Sequence, residues 1–136
     1  MKHDYLDIEF AFMFASSGMQ YENEAYLDME TGQTHLIGDL VDEEIPEDID
    51  LNDRYIRIPH KNELDLGNKL VFRFVETHIP QIYDQVRRFF RSKGAYAKYK
   101  DLLSRLEMLD AWHEYEDTAT KHALQKWCAE NDIDLK

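Results

Sequence analysis

Positive charge in this chain is concentrated in residues 85–105, where seven bases accompany a single acid, Asp101. Lysine and arginine side chains neutralise phosphates and carboxylates, and aromatic rings placed between them can stack on nucleic-acid bases. These residue types therefore support the binding of an anion, with no bond made or broken. The candidate binding residues are Arg87, Arg88, Arg91, Lys93, Lys98, Lys100 and Arg105.

The partner predicted for this basic surface is an acidic protein or a nucleic acid. The formal net charge of the whole chain is −12, which disfavours non-specific binding to nucleic acid or to anionic membranes. A local group of bases still attracts anions within a Debye length of about 8–10 Å. The alternative is that the bases form a solvated face paired with the acidic half of the chain. The aromatic residues between them, Phe89, Phe90, Tyr96 and Tyr99, then belong to the core.

Negative charge is concentrated in the amino-terminal half. Residues 1–65 hold 17 Asp and Glu against 4 Lys and Arg, whereas residues 66–136 have a net charge of +1. Residues 38–53 contain eight acids and no base, which favours a solvated, solubilising loop. The alternative functions of this acidic loop are a mimic of nucleic-acid phosphate, an adaptor surface for a basic partner and a cover for the basic surface. Its candidate residues are Asp39, Asp42, Glu43, Glu44, Glu47, Asp48 and Asp50.

Patterns typical of catalysis, cofactor binding or metal binding are absent from the sequence. The six histidines lack the paired helical spacing that holds zinc, and the single cysteine, Cys128, cannot complete a thiolate site. Neither a glycine-rich phosphate loop nor a nucleophile elbow occurs. We therefore predict a non-enzymatic binding module without catalytic, cofactor-binding or metal-binding residues. An enzyme of unrecognised class is the remaining alternative.

A length of 136 residues with 43% hydrophobic content predicts a single domain over residues 1–136. No apolar run approaches the roughly 20 residues that cross a bilayer, and the amino terminus lacks the basic and apolar regions of a secretory signal. A lone cysteine fits a reducing compartment. We expect a cytoplasmic protein with no membrane partner, and the sequence leaves its oligomeric state open.

The first element that must position these surfaces is a helix predicted over residues 4–16, with Asp4 as its N-cap. Four large apolar side chains in it fall at i, i+4, i+7 and i+8, which is the spacing of one helix face. We expect that face to be buried. Its residues are Leu6, Phe10, Met13 and Phe14.

Three short strands follow in the prediction. Residues 25–37 form two short runs around Gly32, whose free φ suits a tight turn, and they predict a β-hairpin. Residues 54–58 predict a third strand, which the hairpin needs because an isolated hairpin is only marginally stable. The helix, the strands and the acidic loop make up residues 1–60.

Residues 61–136 are predicted to be helical from their apolar periodicity. The predicted helices cover residues 62–79, 80–94, 94–106 and 110–130. The inward face of the third helix consists of Tyr96, Tyr99, Leu103 and Leu106. The fold class is therefore α+β, with an amino-terminal helix and a small antiparallel three-stranded sheet packed against about four carboxy-terminal helices.

Several segments taken together resemble a known family. They are LDMETGQ (27–33), RYIRIP (54–59), GAYAKYKDLL (94–103), Trp112 with Tyr115, and KWCAENDI (126–133). Through them the chain is similar to uncharacterised protein family 0158, whose members are small acidic bacterial proteins. Tyrosine stands at 96 and 99 where members often have phenylalanine, and Ser92 stands where many have a further glycine. The resemblance implies a bacterial protein, but the family has no established activity to transfer.

Overall fold

The computed structural model describes residues 2–19 and 22–136. The chain divides into two units, which are described separately. Unit 1 contains the chain up to Leu64 together with Ala123–Lys136, and unit 2 contains Asp65–His122. The assignment of residues 1–136 to one domain stays a prediction.

Unit 1 is built on a three-stranded antiparallel sheet in the order β3-β2-β4. Tyr26 of the central strand lies opposite His35 on one side and Arg57 on the other. The hairpin turns at Gly32, where φ is +81°, a conformation that glycine adopts without strain. The predicted hairpin and third strand are confirmed. The elements of this part are β1 (Lys2–His3), α1 (Tyr5–Ser16), β2 (Glu24–Asp28), β3 (Thr34–Ile37) and β4 (Tyr55–Arg57).

A second, two-stranded parallel sheet in unit 1 was not predicted. It pairs β1 with β5 (Asp134–Leu135), so that Lys2 lies opposite Asp134. Strands of two residues are too short to show the alternation from which strands are predicted.

The face that α1 buries is not the predicted one. Of the four residues of the predicted face, Leu6, Phe10 and Met13 are exposed and Phe14 is half-buried, and α1 packs against β2 and β3 through the opposite face. Both sets of residues have helical spacing, so periodicity alone cannot choose between them. Asp4 caps the helix as predicted, accepting a hydrogen bond from the Leu6 amide at 2.8 Å. The buried residues of α1 are Ile8, Ala11, Phe12 and Ala15.

The turn of the hairpin is tied to Arg54, the residue immediately before β4, by a buried carboxylate. Asp28 is 4% exposed and accepts two hydrogen bonds from the Arg54 guanidinium, at 3.1 Å and 2.6 Å. One of its oxygens also accepts from the backbone amides of Glu30 and Thr31. Hydrogen bonding from Arg54 is the main cause that lowers the pKa of Asp28 to about 2.

Unit 2 is helical, and it contains three complete helices and the greater part of a fourth. They are α2 (Asn68–His78), α3 (Tyr83–Phe89), α4 (Ala95–Arg105) and α5 (Leu109–Glu130), the last of which continues into unit 1. The α+β class, the antiparallel sheet and the four carboxy-terminal α-helices are confirmed. Among the residues that the structure describes, no helix combines the length and apolar character required to cross a membrane.

Two predicted helix boundaries are wrong. The helix predicted from residue 62 begins only at Asn68, because Lys61–Leu64 is a 3₁₀ turn and Asp65 has a left-handed φ of +57°. Helix α3 ends at Phe89, five residues before Gly94. Pro80 opens a 3₁₀ turn immediately before α3, as expected from its fixed φ.

The core of unit 2 is an aromatic cluster centred on Trp112, which is 1% exposed. The ring of Trp112 lies 5.2 Å from the ring of Tyr99 and 5.4 Å from that of Phe74, edge to face in both cases. Edge-to-face geometry is favourable because the positive ring edge meets the negative ring face. This cluster fixes α2, α4 and α5 relative to one another and so positions α4, which carries part of the basic surface.

Candidate functional site

The basic surface lies on α3, on α4 and on the short turn between them. Arg87 and Arg88 occupy the last turn of α3, where the helix dipole favours positive charge. The chain then turns through Gly94, whose φ is +72°, and enters α4. Because α3 and α4 pack against each other, bases that are separate in sequence belong to one helical pair.

Five of the seven predicted bases are exposed and available to a partner. In the described part of the chain, no carboxylate lies within 4.0 Å of the charged nitrogens of these five side chains. This is unusual in a chain with 28 Asp and Glu. An incoming anion would therefore not have to displace an internal ion pair. The five residues, called the open bases below, are Arg87, Arg88, Arg91, Lys93 and Lys98.

The other two predicted bases are engaged by neighbours on α4. Arg105 forms an ion pair with Asp101, one helical turn before it. The Lys100 ammonium lies 5.2 Å from the centre of the Tyr96 ring, a cation–π distance. Lys100 therefore points toward the side of α4 that carries Tyr96, while Lys98 lies roughly opposite on the helix.

The tyrosines of α4 differ in burial, although both were predicted to face inward. Tyr99 is fully buried, and burial raises its pKa. Tyr96 is 40% exposed; its hydroxyl accepts a hydrogen bond from Trp112 Nε1 at 3.2 Å and donates to Glu116 at 3.0 Å. Burial is the main cause that raises the Tyr96 pKa to about 12. Of these two tyrosines, Tyr96 is the one that presents ring surface to a ligand.

The predicted inward face of α4 is corrected at two positions. Tyr96 and Leu106 are substantially exposed, and Leu102, which was not predicted to be inward, is buried with Tyr99 and Leu103. Residues 99, 102 and 103 are spaced i, i+3 and i+4, so they share the narrow face that meets the core. Tyr96 and Leu106 lie nearer the ends of the same helix, where burial is less complete.

Substitution of Gly94 tests whether the turn before α4 requires a residue that adopts a positive φ without strain. A Cβ added there would meet no atom within 4 Å, so the cost of Gly94→Ala is backbone strain alone. We expect a loss of about 1–2 kcal/mol in the free energy of unfolding, measured by urea denaturation. Gly94→Asn should lose less, because asparagine tolerates positive φ better than alanine. Equal stabilities of wild type and Gly94→Ala would contradict this account.

The acidic loop is held against the sheet by two of its predicted acids. Glu43 lies 3.2 Å from His35 Nδ1 and also accepts a hydrogen bond from the Leu36 amide at 3.1 Å. Asp50 accepts a hydrogen bond from the Tyr26 hydroxyl at 2.9 Å. These two carboxylates therefore have structural partners in unit 1, which leaves fewer of the loop's acids for a partner protein.

A shallow recess between α2 and α3 was not predicted from the sequence. Its volume is about 340 Å³, and the rings of Phe72 and Tyr83 in it lie 5.6 Å apart. Its charged groups are largely satisfied within the chain: Lys69 pairs with Asp65, and Arg73 donates to the Asp65 carbonyl. No sequence motif accompanies these residues, and only the packing of α2 against α3 brings them together.

Residues with catalytic or metal-binding potential are dispersed. Within residues 2–19 and 22–136, no group of three or more His, Cys, Asp or Glu is placed to hold a metal ion. His60 is buried, and its Nδ1 accepts a hydrogen bond from the Asn62 amide. Cys128 is buried, and burial raises its thiol pKa to about 11. A thiol with so high a pKa is a poor nucleophile at neutral pH.

Comparison with protein-family models, with curated proteins and with solved structures finds no match for this chain. The similarity to uncharacterised protein family 0158 stays a prediction. Support for a function therefore comes from the side chains described above.

Proposed function

We propose that this chain is a non-enzymatic binding module that holds an acidic segment of a partner protein on the open bases of α3, of α4 and of the turn between them. The observation that carries the proposal is that these five bases are exposed and unpaired among the described residues of a strongly acidic chain. Unpaired exposed bases keep their full charge available, and a carboxylate-rich segment is the complementary partner.

An acidic protein segment fits this surface better than a nucleic acid does. A nucleic acid presents a long row of phosphates, which the net charge of −12 repels beyond the reach of the basic surface. Stacking on successive bases would also require several exposed rings, and of the two tyrosines of α4 Tyr96 is exposed whereas Tyr99 is fully buried. A short acidic segment needs only the local field of the open bases.

The proposal is tested by reversing three of the open bases together, in the variant Arg87→Glu/Arg88→Glu/Arg91→Glu. The probe is a short polyglutamate peptide, titrated at low and at physiological salt by fluorescence anisotropy. Each exposed ion pair contributes about 0.2–1 kcal/mol, so we expect the dissociation constant to rise roughly tenfold or more. Binding by the wild type should weaken as salt increases.

The matched control reverses three exposed lysines outside the basic surface, Lys61, Lys121 and Lys126. It changes the net charge by the same amount, so a non-specific charge effect would appear in both variants. We expect the control to change the dissociation constant less than threefold. Equal losses in the two variants, or no peptide binding at low salt, would refute the proposal. Tighter binding of a single-stranded oligonucleotide than of the peptide would favour the nucleic-acid alternative instead.

A further inference from the structure

Helix α1 presents a large apolar face to solvent, in the unit that does not carry the basic surface. Leu6, Phe10 and Met13 are 68%, 64% and 62% exposed. They are spaced i, i+4 and i+7, which places them within about 60° on one side of the helix. The opposite side is buried against β2 and β3. Helix α1 is therefore apolar on both faces, although only one is covered.

An apolar ridge of this kind is typical of an interaction site. Single exposed apolar residues are ordinary, but a contiguous group on one helix face marks a surface that a partner covers. The spacing i, i+4, i+7 is that by which one helix anchors another in helix-mediated recognition. Methionine adds a flexible side chain that adapts to the shape of a partner.

The charges around the ridge identify the chemistry of that partner. Asp7 lies on one side of the ridge and Glu9 on the other. Helix α1 contains no lysine or arginine. Residues 1–65 together have a net charge of −13. A second α1 packed on this ridge would bring carboxylates against carboxylates, and an anionic membrane would be repelled for the same reason.

We infer that α1 is a docking site for a basic amphipathic helix of a partner protein. The apolar stripe of that helix packs on Leu6, Phe10 and Met13, and its flanking lysines or arginines meet Asp7 and Glu9. This site is independent of the open bases, because it lies on the other unit and selects the opposite charge. The two surfaces would allow the chain to hold an acidic and a basic segment.

The experiment uses the full chain and a designed helical peptide of about 15 leucines and lysines, with leucine on one face and lysine elsewhere. The test variant is Leu6→Ser/Phe10→Ser/Met13→Ser, and we expect it to weaken peptide binding more than tenfold. The control, Leu40→Ser/Leu51→Ser/Leu106→Ser, removes three exposed apolar side chains elsewhere and should change binding less than threefold. The single variants Phe10→Ser and Asp7→Lys are each expected to bind the peptide several-fold more weakly. They replace the triple variant in the test if the triple variant does not fold.

Two further measurements distinguish other occupants of the ridge. A leucine–glutamate peptide of the same pattern should bind at least tenfold more weakly than the leucine–lysine peptide. Equal affinities would refute the charge complementarity, and so would equal binding by the test and control variants. Sedimentation of the free chain should give the same mass for wild type and Phe10→Ser. A wild-type dimer that Phe10→Ser dissociates would show that a second copy covers the ridge, and the inference would then be wrong.

Discussion

Replacing Trp112 with alanine should lower the free energy of unfolding by about 3–5 kcal/mol, the largest loss expected for a single substitution in this protein. Trp112 is 1% exposed, and its ring contacts those of Phe74 and Tyr99 edge to face. The substitution removes the burial of a large ring, leaves a cavity and abolishes the hydrogen bond to Tyr96. The loss is measured as the change in the free energy of unfolding, by urea denaturation followed by circular dichroism.

Two controls separate the role of the cluster from the general effect of losing a tryptophan. Trp112→Phe keeps most of the apolar ring and should cost only about 1–2 kcal/mol, because Tyr96 is exposed enough to hydrogen-bond to water in place of the indole. Trp127→Ala removes the other tryptophan, which is only partly buried, and should cost clearly less than Trp112→Ala. A loss below about 1 kcal/mol in Trp112→Ala would contradict a core centred on this ring.

Replacing Asp28 with alanine should lower the free energy of unfolding by about 3 kcal/mol, because it leaves the amides of the hairpin turn and the Arg54 guanidinium without their buried partner. The matched control is Glu30→Ala. Glu30 also pairs with Arg54, at 3.0 Å, but its side chain is 67% exposed. Exposed ion pairs contribute about 0–1 kcal/mol, so Glu30→Ala should change stability little. Equal losses in the two variants would show that burial of the Asp28 pair has no special effect.

The contribution of Asp28 should also depend on pH in a defined direction. Its pKa is lowered in the folded protein from 3.8 to about 2, so its carboxylate stabilises the fold fully above about pH 4. That stabilisation is lost as the pH falls from about 4 to about 2. Asp28→Asn cannot ionise, so the stability difference between it and the wild type should shrink over this interval. A difference that stays constant down to pH 2 would contradict the lowered pKa.

Local signals in the sequence were sufficient for most of the elements. Three residues affect only the backbone within a few positions of themselves. They are Asp4 at the start of α1, Gly32 in the hairpin and Pro80 before α3. Their effects are properties of the backbone and are the same whatever packs against them. The pairing of β1 with β5, which was not predicted, depends instead on a partner far along the chain.

The candidate binding surface was predicted in part. The seven bases were identified from composition. Whether a base is free depends on where the carboxylates lie, and only the structure shows Arg105 paired with Asp101 and Lys100 over the Tyr96 ring. The same holds for the acidic loop, where Glu43 and Asp50 are bound by residues of the sheet.

What the sequence determined by itself is the α+β class, the hairpin, the helical second half and the separation of charge along the chain. What only the tertiary structure decided is which side of each helix is buried. Helix α1 is apolar on two opposite faces, so helical spacing identified Leu6, Phe10 and Met13 as a face but could not show whether the sheet would cover it. The physical reason is that periodicity records how side chains are arranged around one helix, whereas burial depends on the shape and charge of what packs against it.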